Sequence, residues 1–195
     1  MRGGRRRGAG PAPDFRAPPG PRRAPARRRR RRPGAPLARL VSGGQAGVDR
    51  AALDAALAHG LACGGWCPRG RAAEDGPIDR RYPLRPTAGA DPGERTRLNV
   101  RDSDGTLILL DGAWDDGTRF TWNIAAALGR PLLVMDLAAP EARSRALLRV
   151  LAWARRHRVA TLNVAGPRES ASPGIHARAR DFLDRLLSGD PRGPA

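Results

Sequence analysis

Apolar residues along this chain form short continuous runs that alternate with longer stretches of helical period. The runs at 107–110 and 132–135 are apolar at every position, which is typical of strands covered on both faces. The pattern predicts strands at residues 37–41, 105–110, 131–137 and 160–165, and a weaker short strand near 61–64.

The stretches between these runs predict five helices, at residues 48–59, 92–102, 118–128, 140–157 and 173–187. In the last helix, one face carries the apolar residues Ile175, Ala179, Phe182, Leu183, Leu186 and Leu187. We expect Ser172 to be the N-cap of that helix and Pro173 to occupy its first position.

Strands that alternate with helices indicate a parallel sheet joined by right-handed crossovers. The predicted fold class is therefore α/β, a Rossmann-like three-layer sandwich with a mostly parallel sheet. Ligands of such folds bind beyond the carboxyl ends of the strands. The polar stretch at 64–99, rich in Gly, Pro and Arg, is too long for a simple connector, which predicts a functional loop or lid.

Charge divides the chain into unequal parts. All 36 basic residues are arginine, and the net charge is +17. Residues 1–36 hold 13 arginines and one acid, whereas residues 37–195 hold 23 arginines and 18 acids. Because residues 1–36 also have few apolar residues beyond Ala and Pro, we predict a disordered tail there, a ligand-binding domain at 37–188 and a flexible C-terminus at 189–195.

Three interpretations of the arginine-rich tail stay open. Six adjacent arginines at 27–32 could neutralise the phosphates of a nucleic acid. A targeting peptide is less favoured, because the tail has no apolar segment and its prolines interrupt any helix. Alternatively, translation begins near Leu37 or Val41, and the tail is an artefact of the gene assignment.

The apolar runs, cysteines and histidines of the sequence indicate the cellular compartment and limit the possible metal and disulfide chemistry. No apolar run is long enough to cross a bilayer and no signal peptide is evident, which predicts a cytoplasmic protein. Cys63 and Cys67 are the only cysteines, and such a pair in an intracellular chain rarely forms a structural disulfide. The three histidines, His59, His157 and His176, have no ligand spacing, so no metal site is expected.

The strand predicted at 37–41 runs directly into a glycine-rich turn that opens a helix. The candidate ligand groups there are Ser42, Gly43, Gly44, Gln45, Gly47 and Asp49. Glycines let the backbone approach a ligand, and the free N–H groups at a helix start favour an anion such as phosphate. The chain has no lysine, which excludes a Walker A loop, and the glycine spacing differs from the dinucleotide fingerprint. An ordinary tight turn is the alternative.

Further candidate ligand groups lie in the 64–99 stretch or near later strands. They are Arg69, Arg71, Asn99, Asp102, Ser103, Gly117, Thr118 and Arg168. Arginines can grip a phosphate or carboxylate through two parallel hydrogen bonds. A solvated charged loop, a helix end and an ordinary Asp-Gly turn are the alternative interpretations of these residues.

Acid–base catalysis has three candidates, Glu74, Asp75 and Asp104. Glu74 and Asp75 are neighbours in sequence, but that does not place both side chains in one pocket. No Ser/His/Asp constellation is evident.

Five segments of the chain form a recognisable set: SGGQAGVDRAALD (42–54), GGWCPRGRAAEDGPI (64–78), RYPL (81–84), ERTRLNVRDSDGTLIL (94–109) and TLNVAGPRES (161–170). Together they resemble the molybdenum-cofactor carrier family. The resemblance covers nearly all of 37–188. It implies a Rossmann-like protein of the wider superfamily that includes the lysine-decarboxylase-like phosphoribohydrolases and the DNA-processing protein A group.

The resemblance implies an oligomeric binder of a molybdenum cofactor or a nucleotide-like ligand. On that basis the turn at 43–49 anchors the ligand phosphate, and Thr118 lines the rest of the site with Arg69 or Arg71. The chain departs from the family pattern at Ala46, where Thr is usual, and at Asp116, where Gly is usual. It also has no glutamate shortly after Gly117-Thr118, which counts against the phosphoribohydrolase mechanism.

Three functional hypotheses follow. The favoured one is a carrier or ligand-binding protein without catalysis, whose partners are a phosphate-bearing small molecule and further copies of the chain. The second is a nucleotide-processing enzyme that uses Glu74, Asp75 or Asp104. The third is nucleic-acid binding through the tail.

Overall fold

A computed structural model describes residues 37–89, 91–112, 114–138 and 142–188, with the backbone alone at 142–144. The tail predicted at 1–36 and the C-terminus predicted at 189–195 lie outside the described residues. No helix within the described ranges is long and apolar enough to span a membrane.

The predicted α/β fold class is confirmed by a parallel six-stranded sheet. Its strands are β1 (Arg39–Val41), β2 (Ala62–Cys67), β5 (Leu84–Pro86), β6 (Gly105–Leu110), β7 (Leu132–Asp136) and β8 (Thr161–Ala165). They lie in the order β5-β2-β1-β8-β6-β7, and each neighbouring pair is parallel. The first strand therefore pairs with the last. Two further short strands, β3 (Ala72–Ala73) and β4 (Gly76–Pro77), form a separate antiparallel ribbon.

Five helices cover the sheet: α1 (Val48–Ala58), α2 (Pro92–Arg101), α3 (Asp116–Ala127), α4 (Ala142–Arg156) and α5 (Ile175–Ser188). The crossovers through α1 and α4 run one way along the sheet, and those through α2 and α3 run the other way. Since crossovers between parallel strands are right-handed, the two pairs lie on opposite faces. The packing agrees, because α1 and α4 each contact α5 while α2 contacts α3.

The two faces of the sheet differ in polarity because strand side chains alternate. Leu40, Leu107, Leu109, Leu162 and Val164 pack into the large apolar cluster with α1, α4 and α5. The intervening positions face α2 and α3, and they include two buried polar residues.

Those two polar residues are Thr106 and Asn163, which are register partners on β6 and β8. Asn163 Nδ2 donates to Thr106 Oγ1 at 3.3 Å. The buried polar side chains of the central strands therefore lie on the face of the sheet that α2 and α3 cover.

Two strand assignments differ from the prediction. β2 extends to Cys67, three residues beyond the predicted segment, and β5 lies in the stretch expected to be a loop or lid. β5 contains one apolar residue, Leu84, and ends in Pro86, so periodicity does not reveal it. It is an edge strand of the sheet, where proline is tolerated because one side of the backbone needs no ladder partner.

The start of the last helix also differs from the prediction. α5 begins at Ile175, and Gly174 before it has a φ of 82°. The Glu169 carboxylate accepts hydrogen bonds from the backbone N–H groups of Gly174 and His176. Ser172 instead directs its hydroxyl to the Asp111 carboxylate at 3.2 Å. The prediction of Ser172 as N-cap was wrong because a more distant acid satisfies the helix start.

Arg71 holds together the segment at 78–84, which follows the ribbon. Its guanidinium donates to the carbonyl oxygens of Ile78, Asp79, Tyr82 and Leu84 at 2.7–3.1 Å. One side chain thereby satisfies four backbone acceptors of an irregular loop. The Arg71 guanidinium has these protein partners and does not depend on a ligand for its hydrogen bonds. Ile78, Tyr82 and Leu84 are themselves buried in a small apolar cluster with Leu53 and Cys67.

We predict that Arg71→Lys lowers the free energy of unfolding by about 2 kcal/mol, because lysine cannot reach four carbonyl groups from one position. Urea denaturation measures the loss. Arg69→Lys is the matched control, since Arg69 is exposed two residues away. Equal stability of the two variants would contradict the stabilising role of the four Arg71 hydrogen bonds.

A second prediction concerns Gly47, which precedes α1 with a φ of 88°. A Cβ there would lie 2.5 Å from the carbonyl oxygen of Pro167, so the turn after β1 and the loop after β8 touch through backbone atoms. Gly47→Ala is expected to cost roughly 3 kcal/mol or more, from backbone strain and this clash together.

Gly112→Ala is the control for strain alone, because Gly112 has a φ of 77° and a methyl group added to its Cα would meet no described atom within 4 Å. That variant should lose only about 1 kcal/mol. Thermal unfolding measures the stability of both variants. If Gly47→Ala lost no more stability than Gly112→Ala, the close backbone contact at Gly47 would be contradicted.

Candidate functional site

A cleft opens at the carboxyl edge of the sheet, where the connections of neighbouring strands diverge. The chain leaves β1 toward one edge of the sheet and β6 toward the other, with β8 between them. Such a switch point leaves a crevice beyond the strands. The enclosed space of the central cleft is small, with a cavity volume of about 40 Å³. Its lining residues are Gly43, Gln45, Asp49, Arg95, Thr96, Asn99, Asp115, Gly117, Thr121, Asn163, Val164, Ala165, Gly166 and Arg168.

Arg95 of α2 lies over the turn that follows β1. A Cβ added to Gly43 would overlap Nη1 of Arg95 and would lie 2.5 Å from its Cζ. The guanidinium therefore fills the volume that any side chain at residue 43 would need. Glycine is required at this position for close approach of a cation, not for a left-handed backbone.

Asp49 holds that guanidinium in place. Its Oδ2 accepts from Nη1 of Arg95 at 2.6 Å and from the backbone N–H of Gln45 at 3.4 Å. The side chain of Asp49 is 7% exposed and that of Arg95 is 18% exposed, so water screens the pair weakly. Asp49 lies in the first turn of α1, where a carboxylate is favoured by the helix dipole.

One donor of this pair is left over. Nε of Arg95 is buried and has no hydrogen-bond partner within the part of the chain that the structure describes. A buried donor without a partner costs about 1–3 kcal/mol, and native proteins rarely leave one unused. Arg95 thus keeps unused hydrogen-bonding capacity, and the residue itself lines the cleft.

The start of α3 forms the opposite wall. Asp115 is its N-cap and accepts from the N–H of Thr118 at 2.7 Å and of Arg168 at 3.3 Å. Thr121 returns its hydroxyl to the carbonyl of Gly117 at 3.0 Å. The charged residues that line the cleft are thus two arginines and two aspartates, and the aspartates already occupy the two helix starts.

Asn99 fixes the position of α2 on the sheet. Its Oδ1 accepts from the N–H of Trp66 at 2.7 Å, and its Nδ2 donates to the carbonyl of Trp66 at 3.0 Å. One side-chain amide thereby pairs with the backbone of β2. Since Arg95 lies one helical turn before Asn99, this contact also sets where the guanidinium lies.

Gln45 lines the cleft and also contacts the ribbon. Gln45 Oε1 accepts from the N–H groups of Ala46 at 3.0 Å and Glu74 at 2.9 Å. The Glu74 carboxylate in turn accepts from the backbone N–H and the hydroxyl of Ser170. The ribbon is therefore tied both to the turn after β1 and to the loop after β8.

The structure brings six of the ligand residues predicted from sequence to the central cleft: Gly43, Gln45, Asp49, Asn99, Gly117 and Arg168. The other eight do not line it. Ser42 and Ser103 are buried and donate to the carbonyls of Val164 and Asn99 at 2.8 and 2.7 Å. These two hydroxyls serve the fold.

The remaining predicted glycines and the threonine pack against protein. Gly44 lies against Leu84 and Ile78, and Gly47 against the loop after β8. Thr118 is 1% exposed, and its hydroxyl has no partner among the described atoms.

The predicted residues Arg69, Arg71 and Asp102 lie apart from the cleft. Arg69 is exposed, and the Arg71 guanidinium donates to backbone carbonyls of the segment at 78–84. Asp102 accepts from Trp66 Nε1 at 2.9 Å. The Arg101 guanidinium, joined by that indole, holds the pKa of Asp102 below its usual range.

The three candidate acids and bases are not brought together. Asp104 precedes β6 and accepts from the N–H groups of Ala160 and Thr161, at the amino edge of the sheet. Asp75 forms two hydrogen bonds with the Arg50 guanidinium at 3.1 and 3.2 Å. Glu74 is paired with Ser170, and none of the three lines the central cleft.

Sequence reasoning missed Arg95, Thr96, Asp115, Thr121 and Asn163 as site residues. The sequence of α2 contains one signal for Arg95: Leu98 and Val100 are the only aliphatic residues of a helix that must pack on the sheet. Polar residues four positions apart on the inward face of such a helix are an indication of a site.

Metal-ligating chemistry is absent from the described ranges, which contain no group of three or more His, Cys, Asp or Glu side chains able to hold a metal ion. Cys63 and Cys67 are free thiols. Burial raises the pKa of both, which keeps them protonated near neutral pH.

The comparisons with known proteins agree with this architecture. The sequence profile of the circularly permutated YpsA SLOG family matches residues 40–187. The chain is also similar to a protein of known crystal structure from Syntrophus aciditrophicus SB, described as a "putative molybdenum carrier protein". The two are 38% identical with a TM-score of 0.75, over 77% of this chain and 95% of that one. No curated protein gives a significant match.

A profile that spans three quarters of the chain and a relative of this identity settle the relationship, and they confirm the resemblance inferred from the sequence motifs. The chain belongs to the circularly permutated YpsA SLOG family of Rossmann-like α/β proteins.

Proposed function

We propose that the protein is a carrier that binds a small molecule through its phosphate or a similar oxyanion, with the anion placed against Arg95 in the central cleft. The observation that carries this proposal is the Arg95 guanidinium, which lies over Gly43 with Nε buried and unpartnered among the described residues. An oxyanion supplies acceptor atoms for such donors, and guanidinium–oxyanion hydrogen bonds are among the strongest in proteins.

The surroundings of Arg95 moderate its attraction for an anion. The starts of α1 and α3 both lie at the cleft, through Asp49 and Asp115 respectively. Asp49 already gives Arg95 one carboxylate oxygen, so an incoming anion shares the guanidinium and does not meet a bare cation. This arrangement favours reversible binding, as a carrier needs.

The name of the Syntrophus relative favours a molybdenum-containing cargo. The described residues offer no cluster of metal-ligating side chains, so we propose that the metal arrives within an organic cofactor or as an oxyanion. In either case Arg95 and the turn after β1 would hold oxygen atoms, not the metal. A nucleotide-like ligand presents the same phosphate chemistry and belongs to the same proposal.

The test is thermal unfolding of the full chain with inorganic phosphate, molybdate and adenosine 5′-monophosphate (AMP). A ligand at about 100 times its Kd adds about 2.7 kcal/mol of stability, which raises Tm by roughly 5–10 °C for a domain of this size. We expect a shift with at least one probe, and we expect Arg95→Gln to remove it while the variant still folds.

Arg149→Gln is the matched control, because Arg149 is exposed on α4 and lies outside the cleft. It should keep the wild-type shift. If no probe stabilises the wild-type protein, or if Arg95→Gln keeps the full shift, the proposed function is wrong. Conversion of AMP by the wild-type protein would favour a nucleotide-processing enzyme instead.

A further inference from the structure

A second cavity adjoins the central cleft and shares three of its residues. This cavity, called here the ribbon slot, has a volume of about 200 Å³. Gly43, Gln45 and Arg95 line both spaces, and the slot is otherwise lined by Pro68, Ala72, Ala73 and Pro92. One small molecule can therefore occupy both, with Arg95 at the junction.

The ribbon slot has a different chemistry from the cleft. Apart from Arg95 and Gln45, its lining is glycine, alanine and proline, which present methyl groups, ring faces and backbone. The alanine and proline side chains can neither donate nor accept a hydrogen bond. A charged or strongly hydrated group would be desolvated there without compensation.

A flat ring fits this lining best. Small side chains let a planar group approach closely, and proline rings and methyl groups offer surfaces for dispersion contact. Arginine, in addition, stacks its guanidinium plane on aromatic faces while its N–H groups bond an anion at the edge. Arg95 can thus serve both halves of a ligand that joins an oxyanion to a ring.

We infer that the ribbon slot is a subsite for the aromatic or heteroaromatic ring of the ligand whose oxyanion meets Arg95. This inference rests on the proposed function, because it places the ring relative to that anion. The ligand class is then an aryl or heteroaryl phosphate of the nucleotide kind, and free inorganic anions would fill only half of the site.

A rival position for the ring lies on α3. An open pocket of about 410 Å³ there is lined by Trp114, Arg119, Trp122 and Asn123. The Arg119 guanidinium lies 5.8 Å from the ring centre of Trp114. This aromatic pocket shares no residue with the central cleft. The ribbon slot shares three, which favours it as the continuation of the anion site.

The experiment compares Kd values of the full-length protein for three probes: inorganic phosphate, glycerol 3-phosphate, which has no ring, and AMP, which has one. Burial of the ring in the slot should make AMP bind about tenfold or more tighter than glycerol 3-phosphate. Ala72→Trp fills the slot from an exposed position of β3 and should remove that advantage. It should leave the Kd for inorganic phosphate within about twofold of wild type.

Two controls accompany this variant. Tm and circular dichroism report whether Ala72→Trp folds. If it does not, Ala72→Leu, which fills the slot less, takes its place and should reduce the AMP advantage partially. Ala126→Trp adds the same indole to an exposed position near the end of α3 and should change no Kd.

The outcomes separate the two claims. If inorganic phosphate and both esters all fail to bind the wild-type protein, the slot inference fails. The proposed function fails with it if molybdate also leaves Tm unchanged. If phosphate binds but AMP is no tighter than glycerol 3-phosphate, the slot inference is wrong while the anion site stands. If AMP is tighter and stays so in folded Ala72→Trp, the ring lies elsewhere, and loss of the advantage in Trp122→Ala would place it in the α3 pocket.

Discussion

The contact between the Arg95 guanidinium and the bare Cα of Gly43 is the constraint on which the site depends. It needs a residue without a side chain at 43, a carboxylate at 49 to hold the cation, and a helix that approaches the turn after β1 closely. If any of these conditions failed, the guanidinium would leave the cleft, and the two cavities that meet at Arg95 would lose their shared wall.

The fold supplies that approach through α2, which carries the chain from the β5 edge across to β6. The helix is mostly polar, so apolar burial alone would hold it weakly on the sheet. Asn99 compensates by pairing with the backbone of Trp66 through both atoms of its amide. The register of this pair fixes Arg95 one turn earlier, so a structural hydrogen bond determines the position of a functional cation.

Periodicity predicted the α/β class, the long strands and all five helices, because a sheet covered on both faces requires continuous apolar runs. It also predicted the turn after β1. Sequence reasoning could not locate β5, whose three residues contain one buried side chain, or assign Arg71, whose four acceptors are backbone carbonyls. Arg95 escaped notice for the same reason: its partners lie at Gly43 and Asp49, far away in sequence, and only the tertiary fold brings them together.

The most direct measurement is X-ray diffraction from crystals of the protein soaked in tungstate, a heavy tetrahedral oxyanion whose anomalous signal locates it without ambiguity. The account predicts a peak in the central cleft, within hydrogen-bonding distance of the Arg95 guanidinium and beside Gly43. A cleft without tungstate, or tungstate bound only at arginines on the outer surface, would contradict it.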